Sequence, residues 1–499
     1  MSAQNTSFEP TRPLSRVTQI IYGSGDWGRA SINTLRQIFY AIFLTDVVRL
    51  DPRLASVAAL ISIIWDAIND PLVGSISDNV RTRWGRRRPF LLLFAVPFAL
   101  AFVLLWWAPP WKSQVMLMIH VTLAFMVSDT IQTLITVPYL ALTPEIASQY
   151  DERTSLTGFR MFFNLVASLL TAVMAPMIVH SVINAGHTAQ QGYVTVGAIF
   201  GGIAVIPYLL IFFTVREKEI VDPPHKDTLT FRDTLKTLWQ NAPFRFATGI
   251  YVLNWIAFDV VALMLPYFLT YWVNGGKLVS TISIFGESIA TESVVLGLLL
   301  ITATIALPFW TWLAKRTSKQ VSYISGMIFW VLVQISIFTV QPGQITTILI
   351  IAILAGLSVS TAHVMPESIF PDVIDWDEMR THARREGMYY GAVNFTRKLS
   401  SAVAIFLALQ IIGWCGYNAP AAGALIHTQS ANALLAIRIL TGPFIALLLG
   451  GAILFTLFYP LTRERQMRIR AILERRRIRR QRLRENKVIG EVSSISHTD

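Results

Sequence analysis

An all-α membrane protein, with twelve transmembrane helices in two six-helix bundles and both termini cytoplasmic, is the fold class that this sequence predicts. Three observations carry it. Of 499 residues, 53% are hydrophobic and 14% charged, and the mean hydropathy of +0.51 lies above the usual soluble mix. Apolar runs of membrane-spanning length recur from about residue 53 to residue 460, where a soluble chain this long would divide into domains joined by polar linkers. Lys and Arg collect in alternate connections, the pattern of loops that stay in the cytoplasm.

Residues 1–15 are polar, contain Pro10 and Pro13, and show no short apolar core followed by a small-residue cleavage site, so no cleaved signal peptide is expected. The first bundle, 16–214, is read as helices near 16–48, 53–78, 89–109, 115–140, 155–183 and 191–214, numbered 1 to 6. A charged connection, 215–242, follows. The second bundle, 243–460, is read as helices 7 to 12 near 243–273, 289–314, 321–340, 344–371, 386–414 and 434–460. Arg81, Arg83, Arg86, Arg87 and Arg88 follow helix 2, Lys315, Arg316 and Lys319 follow helix 8, and Arg380, Arg384 and Arg385 follow helix 10. The loops after helices 3, 5, 9 and 11 hold almost no basic residues, which puts both termini and the central connection in the cytoplasm. Pro71 stands seven residues before Asp78, and Pro308 stands seven before Lys315 in the matching loop, a faint internal repeat.

The formal charge of +12 does not point to nucleic acid, because it is local. Between Arg463 and Lys487 there are twelve Lys or Arg against three Glu, a net of +9. This basic tail, 461–499, reads either as an amphipathic helix on anionic headgroups, with Ile469, Ile472, Leu473, Ile478 and Leu483 among its arginines, or as disorder. Cys415 is the one cysteine, which excludes an intrachain disulfide or a thiolate metal site.

Helix 2 carries Asp66 and Asp70 at i and i+4, on one face. Each costs roughly 2.5–3.5 kcal/mol at mid-membrane, so a compensating partner is required. A bound cation is the natural one, since Na+ wants oxygen ligands and Asp66, Asn69 and Asp70 offer them within one turn. The alternative is a pair held by loop arginines. On helix 1, Tyr22, Asp26, Arg29, Asn33 and Arg36 follow one another at gaps of four, three, four and three, a single polar face that should line a cavity; the alternative is an Asp26–Arg29 pair that only locks helices together. Asp129 and Thr133 on helix 4, Arg160 on helix 5, Asp259 on helix 7 and Lys398 on helix 11 are further intramembrane candidates, although Arg160 and Lys398 are near enough to helix ends to snorkel. Gly74, Asp78, Arg81, Gly85 and Arg86 between helices 2 and 3 suggest a cytoplasmic latch of charge-assisted bonds, against the plainer reading that the arginines only set topology. There is no G-x-x-x-x-G-K-[ST], H-E-x-x-H or G-x-S-x-G motif, so neither ATP-driven transport nor a membrane enzyme is expected, and no cofactor beyond a coupling cation.

Tyr22-Gly-Ser-Gly-Asp26, Trp65-Asp66-Ala-Ile-Asn69-Asp70-Pro71, the Asp78 to Pro89 loop, Val137-Pro138-Tyr139 through Pro144-Glu145, Asp151-Glu152-Arg153-Thr154 and Gly387-Met-Tyr389-Tyr390-Gly391 together resemble the glycoside-pentoside-hexuronide:cation symporter family, within the major facilitator superfamily. The resemblance covers nearly the whole chain except the tail. It implies a two-bundle fold, alternating access, and symport of a sugar-like solute with Na+, H+ or Li+. By that resemblance Asp66, Asn69, Asp70 and Thr133 match cation ligands, Asp26 and Arg160 match sugar-contacting positions, and Lys398 matches a basic position on helix 11. In the melibiose permeases a lysine precedes the helix 1 acid, whereas Gly25 stands here; a galactoside-binding acid on helix 4 corresponds to Thr136, and a nearby tryptophan to Leu140. Melibiose is therefore not the expected solute. With one acid lost and Arg29 and Arg36 added, a hexuronide or another acidic glycoside is expected. The rival readings are a lysolipid or other amphiphile transporter and a transporter-derived sensor. The expected setting is a monomer among membrane lipids, multi-pass in the plasma membrane of a bacterium.

Overall fold

The computed structural model describes residues 14–147, 150–217, 231–284, 286–382, 385–421, 424, 426–476 and 478–479. Most of the N-terminal segment, the middle of the central connection and the end of the tail lie outside the described residues. Among these residues, eleven helices are long and apolar enough to cross a membrane.

Helix 1 is not one of the eleven, because it is built from short pieces, Arg16–Ser24, Asp26–Ile38, Tyr40–Ile42 and a π turn Phe43–Val47. Its polar stripe also keeps its hydropathy low. Helix 2 is Pro52–Asn79, started by the Asp51 carboxylate, which accepts from the Arg53 amide at 2.8 Å, and by Pro52, whose fixed φ suits a first helical turn. Helices 3 to 6 are Arg88–Leu105, Gln114–Ile146, Tyr150–Asn184 and Ala189–Thr214. Helix 7, Ala242–Tyr267, continues as a π turn Phe268–Val273, and helices 8 to 11 are Thr291–Arg316, Lys319–Thr339, Ile345–Thr381 and Glu386–Trp414. Helix 12 is Ala431–Thr441 followed by Pro443–Leu457, broken where Gly442 precedes a proline. Helices 4 and 10 thus run past their expected ends at 140 and 371, because their polar ends stay helical beyond the apolar stretch.

Two features differ from expectation. Thr281–Ile284 and Glu287–Ala290 form an antiparallel hairpin, pairing Thr281 with Ala290 and Ile282 with Ile289, where the sequence suggested only loop and the start of helix 8. The alternation Thr-Ile-Ser-Ile and Gly286 at φ +87° supply the strand period and the turn. The tail, read as lipid-bound or disordered, is helical over 463–476 and docks on protein: Gln466, Ile469 and Leu473 are buried, and Arg470 pairs with Asp372 at 3.1 Å. Gln466 and Arg470 turn a basic helix toward a partner already present on helix 10.

The chain divides into two compact units, Met1–His225 with Ala262–Gly297 and Ile405–Ala436, and Lys226–Val261 with Leu298–Ala404 and Ile437–Asp499. In the first unit helix 3 packs along helix 6, helix 2 along helix 4, and helix 1 along helix 5. Glycine allows the close approach of helices 3 and 6: a Cβ on Gly201 would stand 3.2 Å from Ala99. In the second unit helix 9 packs along helices 10 and 12. The first unit holds most of the residues singled out from the sequence.

Candidate functional site

Helix 1 is interrupted at Gly25, and Asp26 starts a new helical segment with its side chain fully buried. There is no room for a side chain at position 25, since a Cβ would stand 2.7 Å from both the Tyr139 ring and Ile211. Tyr139 and Ile211 fill the space beside Gly25. Two guanidinium groups converge on the one acid: Arg29 Nε donates to Asp26 Oδ1 at 2.9 Å and Arg160 Nε to Asp26 Oδ2 at 2.8 Å. Arg160 lies over the Tyr139 ring, 5.4 Å from its centroid. Tyr22 donates to the Tyr139 carbonyl at 2.6 Å and shares a 2.8 Å hydrogen bond with Thr143, while Tyr139 donates back to the Tyr22 carbonyl at 2.8 Å. Buried charges tolerate desolvation only when paired and hydrogen-bonded, and this cluster is both. Its formal balance is two positive groups to one negative, and the nitrogens of Arg29 and Arg160 not bonded to Asp26 keep donor capacity. The Thr136 hydroxyl is buried with no hydrogen-bond partner among the described residues.

The second cluster joins helices 2 and 4 and the later part of helix 1. Thr133 Oγ1 and Asp70 Oδ1 are 3.3 Å apart. Asn69 is buried, and its Nδ2 has no partner among the described residues. Trp65 Nε1 donates to Thr130 Oγ1 at 2.9 Å, tying helix 2 to helix 4 beside the acids. Asp66 is near enough to Asp129 for the two carboxyl groups to repel each other, and Asp129 Oδ2 is buried with no hydrogen-bond partner among the described residues. Arg36 neutralises part of this charge rather than lining the Asp26 cavity: it reaches Asp129 at 3.3 Å and Gln132 at 3.0 Å, and stacks 3.8 Å over the Phe125 ring. Gln132 in turn donates to Asn33 at 3.1 Å. Three carboxyl groups, Asp66, Asp70 and Asp129, thus gather with Asn69 and Thr133 on helices 2 and 4, an oxygen-rich set of the kind that suits a monovalent cation or a proton.

The loop between helices 2 and 3 forms a third cluster. Arg86 and Arg87 both reach the buried Glu145 at the end of helix 4, Arg87 at 2.9 Å, and Arg87 also pairs with Asp78 at 3.0 Å. Glu217, just past helix 6, accepts the backbone N–H of Arg86, Arg87 and Arg88 at 2.6, 2.8 and 2.7 Å. Gly85 has φ +107°, and a Cβ there would stand 2.6 Å from the Glu217 carboxyl carbon. Arg81 does not cross to another helix; it donates to the Asp78 and Val80 carbonyls at its own helix end, 2.7 and 3.0 Å away. A Cβ of Gly74 would have only Val137 near it, at 3.9 Å.

Lys398 is half-buried on helix 11, in the other compact unit from Asp26 and Arg160. In that unit Ser401 donates to Asp259. Asp129 was visible as an intramembrane acid, but its pairing with Arg36 was not, because the two are 93 residues apart in the chain. Gln132, Thr143 and Glu217 carried no sequence signal of their own.

Residues 21–463 match the family described as MFS/sugar transport protein. An uncharacterized symporter of Synechocystis sp. is 29% identical, over 93% of this chain and 97% of that protein. The sodium-dependent lysophosphatidylcholine symporter 1-A of Danio rerio is 25% identical over 92% and 88%, and the isoprimeverose transporter of Lactiplantibacillus pentosus is 25% identical over 81% and 80%. Among solved structures, the nucleoside transporter NupG superposes with a TM-score of 0.60 at 11% identity, over 90% of this chain and 100% of that one, a likeness of fold.

Proposed function

The chain belongs to the MFS/sugar transport protein family, and within that multi-pass symporter framework of the plasma membrane we propose that it carries a small anionic sugar derivative, a hexuronide or acidic glycoside, coupled to Na+ or H+. The single observation behind this reading is the arrangement of two guanidinium groups around the fully buried Asp26. The hydroxyl donors of a neutral sugar favour carboxylate oxygens with most of their acceptor capacity unused. Here both Asp26 oxygens already accept from arginine, and the spare N–H groups suit a carboxylate or phosphate.

Asp66, Asn69, Asp70 and Thr133 are the proposed cation ligands, and Tyr22, Asp26, Arg29, Thr136, Arg160 and Lys398 the proposed solute contacts. Cation binding lowers the negative charge between helices 2 and 4, which stabilises their packing against helix 1 and shapes the neighbouring solute cavity. Without the ion the carboxylates carry more net negative charge through the membrane, which disfavours crossing of the ion-free form. Gly74, Asp78, Arg81, Gly85 and Arg86 are proposed to fasten the cytoplasmic ends of helices 2, 3, 4 and 6 in one conformation.

The lysophosphatidylcholine symporters among the relatives raise a second solute class, whose phosphate would meet the same arginines. Proteoliposomes separate the two. Uptake of a radiolabelled glucuronide is expected to exceed that of a matched neutral glycoside and of lysophosphatidylcholine, and to respond to an imposed Na+ or pH gradient. Uptake confined to neutral disaccharides, or to the lysolipid, would overturn the assignment.

A further inference from the structure

The tail helix, 463–476, uses one face to hold the cytoplasmic end of helix 10. Gln466 donates to Asp372 at 2.9 Å, Arg470 reaches Asp372 at 3.1 Å and Asp375 at 3.6 Å, and Lys319 at the start of helix 9 takes the other Asp372 oxygen at 2.6 Å. At its two ends the helix caps carbonyl groups, Arg463 bonding the Thr317 oxygen at 2.6 Å and Arg476 the Met379 oxygen at 2.8 Å. The helix 463–476 is therefore positioned rather than loosely tethered.

An open crevice of 390 Å³ remains between this helix, helix 10 and the start of helix 7. Its walls are apolar, with Trp376 and Met379 from helix 10 and Ile469 and Ile472 from the tail, and two exposed arginines, Arg465 and Arg468, complete it. Five residues separate the tail helix from the end of helix 12 at Leu457, where Leu454, Leu457 and Phe458 are exposed apolar side chains of the kind that face acyl chains. The crevice thus lies at the level where lipid headgroups begin. An apolar slot with guanidinium groups at that depth matches a phosphate joined to an acyl chain and does not match a wholly soluble anion.

We propose that this crevice is a binding site for an anionic phospholipid of the cytoplasmic leaflet, its phosphate on Arg465 and Arg468 and its upper acyl chain along Trp376 and Ile472. The lipid would add a third fastening to those at Asp372 and the helix ends, so that tail order depends on leaflet charge. Nothing in this site is shared with the solute or cation residues, and its failure would leave the transport reading untouched.

The test uses the full-length chain in detergent, titrated with phosphatidylglycerol or phosphatidylcholine and read by native mass spectrometry. Tighter retention of phosphatidylglycerol is expected, weakened about 30-fold by Arg465→Gln with Arg468→Gln, roughly fivefold per arginine close to an anionic surface. Because Arg465 also bonds the Pro460 carbonyl at 2.9 Å, Arg468→Gln alone is the second variant, with a loss of about fivefold and unchanged thermal unfolding. Arg475→Gln, outside the crevice, should stay within twofold. Hydrogen exchange of amides 463–476 should slow in phosphatidylglycerol nanodiscs relative to phosphatidylcholine ones. Equal affinity for the two lipids, an unchanged double variant, or an equal loss in Arg475→Gln would overturn the proposal. So would glycerol phosphate competing as well as the lipid, which would make the site one for a free phosphate ester.

Discussion

Replacing Arg29 by glutamine removes one of the two guanidinium groups at Asp26 while leaving the Arg160–Asp26 pair at 2.8 Å in place. Asp26 is fully buried, but Arg160 still pairs with it and glutamine keeps a donor, so the change should lower stability by about 1.5–3 kcal/mol, the contribution of one hydrogen bond to a charged group. Its effect on an anionic solute should be of similar size and specific to the charged ligand. A hydrogen bond to a charged group contributes about 1.5–3 kcal/mol, which corresponds to about 10- to 150-fold in Kd. Calorimetric titration in detergent, at saturating Na+ and fixed pH, should show that loss for a glucuronide and a change below about threefold for the matched neutral glycoside. The two ligands differ only in the charge that Arg29 is proposed to read. If the glucuronide affinity moves by less than threefold, or if both affinities fall together, Arg29 is a structural member of the Asp26 cluster and the anionic-solute reading is wrong.

Asp70→Asn should abolish gradient-driven accumulation in proteoliposomes while preserving solute exchange across the membrane; full accumulation would remove Asp70 from the coupling site. Gly25→Lys, which restores the lysine of the melibiose permeases, should destabilise the protein by about 1–3 kcal/mol through overpacking against Tyr139 and Ile211, both 2.7 Å from the new Cβ. Thermal unfolding in detergent reads this, and an unchanged midpoint would mean that Tyr139 swings aside cheaply. Gly85→Ala should displace Glu217 from the three amides it binds, because φ +107° is strained for any other residue; trypsin should then cut the Arg86–Arg88 segment several-fold faster, and an unaltered cleavage rate would count against a latch.

Much of the membrane architecture is local in origin and was legible from composition and periodicity. Hydropathy depends on each stretch by itself, so helices such as Glu386–Trp414 could be bounded from the chain alone. The same holds for Asp66 and Asp70, whose spacing places both on one face without reference to any other helix. The cost of a charge in lipid made them visible; the identity of what compensates them was not visible.

Compensation is a matter of which helices meet, and there the tertiary structure decided. Arg36 belongs to the same stripe as Asp26 by spacing, yet it turns to Asp129 and Gln132 on helix 4, which leaves Arg29 and Arg160 as the pair around Asp26. Arg81, one of five arginines in its loop, closes its own helix end, whereas Arg86 and Arg87 reach Glu145. The tail is basic by composition, but a helix with Gln466, Ile469, Arg470 and Leu473 on one face binds the carboxylates of helix 10 before it meets any lipid. By itself the sequence determined that the chain spans a membrane many times and carries acids costly enough to need a function, because those are properties of short segments in lipid. Which charge pairs with which is set by contacts between residues tens to hundreds of positions apart, and only the packed helices bring those together.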